Sequence, residues 1–293
     1  MRTLSAKASR QSILDTLNTI KQMKQTLSTV LLCAALFVTS CSKKANSNPD
    51  ENGSSQPTVL LTKVTNNTKG DQDFGKTLAE FTYNGKQLLQ AAIYSYSNVS
   101  TFKETHTFAY NSSSQLTGST ITNTNYNNGD FVNSVAAYTG SNISKLTFNK
   151  ASGISPTEHT LTYDGSKLTR WFTPNEVEIL FTYNSDGNNT KQVANEYTTG
   201  RPNGYVYTDN YLTFDTKHNP ISALPNWIYF RVNTEEEGLG YAPGPNNPVT
   251  MNENGTSYTY VYEYNSNGYP TTITKVGTGT KNRSWTYEYK VVN

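Results

Sequence analysis

Phe81-Thr82-Tyr83-Asn84-Gly85-Lys86-Gln87-Leu88 decides the fold. Side chains alternate along a strand, so Phe81 and Tyr83 fall on one face and Thr82 on the other. Asn84-Gly85 then supplies the positive φ values of a tight hairpin turn, where the Asn side chain can bond the backbone of the turn. Leu88 opens the return strand. The phrase is one β-hairpin written in eight residues.

The same phrase recurs at Phe108-Ala109-Tyr110-Asn111, Leu161-Thr162-Tyr163-Asp164-Gly165, Phe181-Thr182-Tyr183-Asn184, Leu212-Thr213-Phe214-Asp215 and Tyr262-Glu263-Tyr264-Asn265. A degenerate copy sits at Tyr138-Thr139-Gly140, and a truncated one ends the chain at Tyr287-Glu288-Tyr289. The anchor aromatics Tyr83, Tyr110, Tyr138, Tyr163, Tyr183, Phe214, Tyr264 and Tyr289 are 20–31 residues apart, except for one step of 50 after Phe214. Each unit is therefore about two strands long. Eight of them predict an all-β, antiparallel meander of about 14–16 strands, as a barrel-like or open curved sheet. The domain is expected over 58–293.

Composition agrees. Charged residues make up only 16% of the chain while aromatics reach 12%, with 21 Tyr, which argues against both a disordered chain and a helix bundle. The single long apolar run, Val30 to Val38, rules out a polytopic helical membrane protein. That run is too short to span a bilayer but suits the apolar core of a signal peptide, with Lys21 and Lys24 before it. Residues 1–22 read as a mis-assigned start or a long n-region, 23–40 as the signal, and 41–57 as a flexible Asn/Ser/Gly/Pro-rich tether.

Val38-Thr39-Ser40-Cys41 resembles a bacterial lipobox, with Val in place of the commoner Leu. The resemblance implies that Cys41 is lipidated and becomes the first residue of the mature protein. Cleavage there leaves 19 basic and 21 acidic residues, a net charge near −2, and no basic footprint for nucleic acid. Cys33 leaves with the signal and Cys41 carries lipid, so the mature chain has no disulfide.

The Tyr-x-Tyr-Asp/Asn-x-x-Gly-x-Leu phrase resembles the tyrosine–aspartate repeats of Rhs-type proteins, whose hairpins build a winding β shell. Together with the lipobox, it makes the whole chain similar to uncharacterised Bacteroidetes lipoproteins described as having a porin-like β fold. The third and fifth units depart from the pattern by losing the compact turn, and residues 222–257 interrupt the register. The resemblance implies a fold and an outer-membrane lipoprotein location, facing periplasm or cell surface. It implies no catalytic residue.

Chemistry is sparse. His106, His159 and His218 lack metal-type spacing, Gly-x-Ser-x-Gly and Gly-rich phosphate loops are absent, and no cofactor is expected. Glu235-Glu236-Glu237 lacks the spaced ligands of a calcium loop and reads as a solvated acidic bend. The aromatic strand faces, clearest in Tyr258-Thr259-Tyr260-Val261-Tyr262, are expected to pack as core or barrel lining. That leaves the irregular stretch from Pro225 to Gly255 as the place for a ligand, with Trp227, Tyr229 and Tyr241 as its large side chains.

The reading is a non-catalytic, lipid-anchored envelope module that is structural or binds a ligand, such as a glycan or an envelope protein. The alternative is a glycan hydrolase or lyase using carboxylates on a sheet face, for which Glu104, Glu158, Glu176, Glu178 and Glu196 are eligible.

Overall fold

The computed structural model describes residues 58–96, 100–124, 130–151, 154–233, 243–279 and 281–292. Within them the chain forms one closed antiparallel barrel of sixteen strands, each paired with its neighbours in sequence. The first eight are β1 (Thr58–Asn66), β2 (Thr77–Asn84), β3 (Gln87–Tyr96), β4 (Thr101–Tyr110), β5 (Leu116–Asn123), β6 (Phe131–Thr139), β7 (Asn142–Lys150) and β8 (Thr157–Asp164). They are followed by β9 (Lys167–Thr173), β10 (Val177–Tyr183), β11 (Asn189–Thr198), β12 (Arg201–His218), β13 (Asn246–Glu253), β14 (Thr256–Tyr264), β15 (Pro270–Gly277) and β16 (Arg283–Val292). Pairing of β1 with β16, from Thr58↔Val292 to Asn66↔Trp285, closes the ring. The meander is thus a barrel and not an open sheet.

The repeat explains the wall. Gly85 and Gly165 hold φ of 56° and 60° in the β2–β3 and β8–β9 turns, as Asn-Gly and Asp-Gly hairpins require. On β2, Ala79 and Phe81 are buried while Glu80 and Thr82 are exposed; on β8, His159 and Leu161 are buried while Thr160 and Thr162 are exposed. The four tyrosines of β14 likewise turn inward and Ser257, Thr259, Val261 and Glu263 outward.

The anchor tyrosines do more than fill space. Tyr83 donates its hydroxyl to the Leu61 carbonyl at 2.5 Å, Tyr110 to Leu88 at 2.7 Å, Tyr183 to Leu168 at 2.8 Å and Tyr289 to Pro270 at 2.8 Å. Leu88, Leu168 and Pro270 are the residues that open the return strands of the repeat. Each tyrosine therefore stitches its own hairpin to the return strand before it. Burial pushes the Tyr110 hydroxyl up to about 12, so it stays protonated as a donor, and raises Tyr163 to the same value.

The 50-residue step after Phe214 is not simply a surface loop. Between β12 and β13 lie a 3₁₀ turn, Pro220–Ala223, and a short helix α1, Trp227–Asn233. Phe230 packs edge-on against Phe81 of β2 at 5.3 Å between ring centroids, and Tyr229 packs against Phe108 of β4 at 5.1 Å and Phe148 of β7 at 5.3 Å. Strands that far apart around the ring can share one helix only if it lies inside the barrel. Helix α1 is a plug, and its apolar residues merge with the wall into one core. The irregular segment expected to run to Gly255 ends at Asn246, where β13 begins.

Candidate functional site

Strand direction gives the barrel two ends. The compact repeat turns, Thr58 and Val292 share one, the turn end; the β11–β12 and β13–β14 connections lie at the other, the loop end. Charged side chains gather inside the wall near the loop end, where Asp209 of β12 stands directly opposite Glu253 of β13. Opposite residues of an antiparallel pair hold their Cβ atoms about 5 Å apart, so the two carboxyl groups are close neighbours.

Glu253 is well supplied with donors. Lys275 Nζ of β15 lies 2.5 Å from its Oε2, and the Tyr207 hydroxyl donates to its Oε1. The Lys275 ammonium in turn sits 4.2 Å from the centre of the Tyr258 ring. Asp209 is treated differently. Burial, and then the charge of Glu253, push its carboxyl up to about 7, against the pull of Lys275 and Arg231. Arg231, from the plug helix, donates from Nη2 to Gln192 Oε1 at 3.0 Å, and Gln192 donates to the Tyr211 hydroxyl at 3.3 Å. Asp209 Oδ1 and Arg231 Nε are shielded and lack a hydrogen-bond partner among the described residues. A carboxyl that exchanges its proton near neutrality beside a second, lysine-paired carboxylate can act as proton donor and acceptor, or bind a ligand with uptake or release of a proton.

A second polar chain lies deeper. Ser134 and Ser119 share a hydrogen bond of 2.9 Å, Ser119 Oγ meets the Tyr229 hydroxyl at 2.6 Å, and that hydroxyl meets His106 Nδ1 at 2.7 Å. His106 Nε2 lies 2.6 Å from Glu104 Oε1. A proton on Nε2 donated to Glu104 leaves Nδ1 to accept from Tyr229, so the chain is self-consistent with a neutral imidazole. Both serines, His106 and Tyr229 are buried, which makes this a lock between plug and wall.

The expected ligand-binding aromatics do not form one surface. Trp227 is half-buried against the core, and Tyr229 is fully enclosed with its hydroxyl engaged by His106 and Ser119. Tyr241, Glu235-Glu236-Glu237 and Cys41 lie outside the described residues. Of the eligible glutamates, Glu158 and Glu178 are paired with Lys145 and Arg170, both at 2.6 Å, and Glu104 with His106. The Asp209–Glu253 pair was not legible as a spacing, because strand register and not sequence distance brings those two residues together. The alternation in Tyr207-Thr208-Asp209-Asn210-Tyr211, which places Asp209 on an inward aromatic face, was the available signal.

Among the described residues no group of three or more His, Cys, Asp or Glu is placed to hold a metal ion. No protein-family model matches the chain, and the comparison with curated proteins finds no match. Solved structures that it resembles include a porin-like protein from Bacteroides uniformis, with 16% identity and a TM-score of 0.34 over 69% of this chain and 96% of that one. A porin-like protein from Bacteroides vulgatus shows 13% identity and a TM-score of 0.30 over 79% and 99%. Likeness at that level carries no inference about what this chain does.

Proposed function

We propose that the chain is a lipid-anchored cell-envelope barrel, non-catalytic, that offers a ligand site at its loop end. The observation that carries this reading is the polarity of the wall. A barrel that crosses an outer membrane needs an apolar lipid-facing band about 25 Å tall. Here the outward strand faces carry Glu80, Thr82, Thr160, Thr162, Thr259 and Glu263, with exposed aliphatics such as Leu180 and Val261 scattered among them, while a packed aromatic core and α1 fill the inside. Such a wall suits water on the outside, with apolar packing on the inside.

Attachment to a membrane then falls to Cys41. The chain that carries Cys41 enters the barrel at Thr58, at the turn end. Diacyl modification supplies about 0.8 kcal/mol per buried CH₂. Cys41→Ala is expected to move the protein from the membrane fraction to the soluble fraction; a variant that still pellets with membranes in high salt removes the anchor from the reading. The ligand, a glycan or an envelope protein, meets the polar cluster at the loop end.

Asp209 beside Glu253 favours a second reading, hydrolysis or elimination on a glycan by a carboxyl pair. Turnover of polysaccharide or peptidoglycan fragments by the wild-type chain, lost in both Asp209→Asn and Glu253→Gln, would establish it and displace the non-catalytic reading. Binding without turnover supports the first.

A further inference from the structure

The wall has a seam between β11 and β12. Pairing between β11 and β12 runs from Thr198↔Arg201 to Lys191↔Asn210 and stops there, although β12 continues to His218 alongside β13. The cause is the segment returning from the plug. Pro243 accepts the backbone N–H of Asn189 at 3.0 Å, the first residue of β11, in the place where β12 would otherwise bond it. Gly244 packs so tightly that a Cβ there would lie 2.9 Å from Asn188 Cα. Asn246 then spans the gap with its side chain, accepting from Asn188 Nδ2 at 3.1 Å and donating to the Lys217 carbonyl at 3.1 Å. A wedge of three residues thus pries β11 from β12 and braces the opening.

Outside this brace is a groove of about 630 Å³, lined by Asn184, Asp186, Leu212, Phe214, Thr216 and Asn246 among others. One side is the Leu212–Thr216 stretch of β12, which has β13 along one edge and no strand along the other among the described residues. Leu212 is 63% exposed. The opposite side is the β10–β11 turn, held rigid because Asn184 Oδ1 accepts the backbone N–H groups of Asp186 and Asn188 at 3.1 and 2.9 Å. Asp215 in the groove is already engaged by Tyr264 and Asn247, whereas the Asp186 carboxylate has no ion-pair partner among the described residues. The groove therefore combines a free strand edge, an exposed aliphatic side chain and the Asp186 carboxylate, which is not engaged as Asp215 is.

We propose that this seam receives an extended polypeptide segment, which adds to β12 as a strand, lays an apolar side chain on Leu212 and Phe214, and sets a basic side chain against Asp186. An unpaired strand edge is satisfied by another strand, and alternate side chains of the incoming segment then meet the groove. Along Leu212–Thr216 a strand can add to β12 without breaking a pair. The seam lies toward the turn end and is separate from the Asp209–Glu253 cluster, so it stands independently of the function proposed above.

The test uses the mature chain and a fluorescent nine-residue peptide in which valine alternates with lysine and serine, read by fluorescence anisotropy. Binding is expected to weaken at least tenfold when alternate peptide nitrogens are methylated, when lysine is replaced by glutamate, and in Leu212→Asp. Asp186→Lys should reverse the preference in favour of the glutamate peptide. Both altered side chains are on the surface, and unchanged circular dichroism will confirm that the variants are folded. Absence of binding, equal affinity for the methylated peptide, or insensitivity to both variants overturns the proposal. So does a seam that protects its amides from exchange only with a polysaccharide, or only in a dimer that Leu212→Asp dissolves.

Discussion

Single side chains hold this barrel at its turns. The hydroxyl of Tyr183 reaches the Leu168 carbonyl at 2.8 Å from a half-buried position, so Tyr183→Phe removes a donor and leaves the carbonyl to find water. The cost is expected to be about 1–2 kcal/mol in urea unfolding, with the strand signal unchanged. A second residue-scale effect is electrostatic. Burial depresses the His159 imidazole from 6.5 to about 4, and Trp171 Nε1 donates to its Nδ1 at 3.1 Å, which only the neutral ring accepts. The unfolded chain then binds more protons than the folded one between those values. His159 stability is complete above about pH 6.5 and is lost as pH falls toward 4, by up to roughly 3 kcal/mol. Asp209 runs the other way. Its raised folded value, about 7 against 3.8, gives stability that is complete below about pH 4 and lost as pH rises through 7. Asp209→Asn should therefore raise stability at pH 8 by about 1–3 kcal/mol and leave it unchanged at pH 4. Above the carboxylate range, unfolding of that variant up to pH 8 should show the His159 slope, and His159→Gln should abolish it there; a slope that survives places the linkage on another group.

Helix α1 is the element whose role the sequence hid. Hairpins announce themselves by turn chemistry within eight residues, and the count of repeat units led to about the right number of strands. Seven residues of helix, Trp227–Asn233, are too short to display a 3.6 period, and an apolar run flanked by Pro and Gly reads equally as an irregular loop. What reveals the plug is contact with β2, β4, β5, β7 and β11, a long-range fact. The same holds for Asp209 and Glu253, which are 44 residues apart and meet only through the β12–β13 register. Tyr229 tests the role of the element. Tyr229→Phe keeps the ring contacts but takes from His106 Nδ1 its hydroxyl partner and from Ser119 Oγ one of its two partners, and should cost about 1–3 kcal/mol. Tyr229→Ala also opens a void among Phe108, Phe148 and Phe230 and should cost about 3–5 kcal/mol. A plug that contributes to the core predicts both losses in chemical unfolding, together with weakened near-ultraviolet dichroism; a loop resting on the surface predicts neither.

At the scale of the whole molecule, closure is the property no local reading could supply, because the strands that close the ring lie at opposite ends of the domain. Thr62 donates its hydroxyl to the Glu288 carbonyl at 2.9 Å across a separation of 226 residues. Any ring of hairpins has one such seam of long sequence separation, and its position is an accident of where the chain starts. Thr58 and Val292 are paired partners, so a linker of about four to six glycines and serines can join them without strain. The β6–β7 turn is a suitable place for new ends, since Gly140 is exposed at φ 61° with nothing within 4 Å of a Cβ there. A permutant of residues 58–292 opened between Gly140 and Ser141 is expected to fold to the same strand spectrum with stability within about 2 kcal/mol. Its folding rate should stay within about tenfold, because one long-range pairing is exchanged for another and mean contact separation hardly changes. Removal of β16 is a different operation. It leaves β1 and β15 as facing free edges and uncovers the buried Trp285 site, so the truncated chain should fail to unfold cooperatively. A permutant that behaves like the truncation, and not like the parent, would show that β1 and β16 do not close the wall in solution.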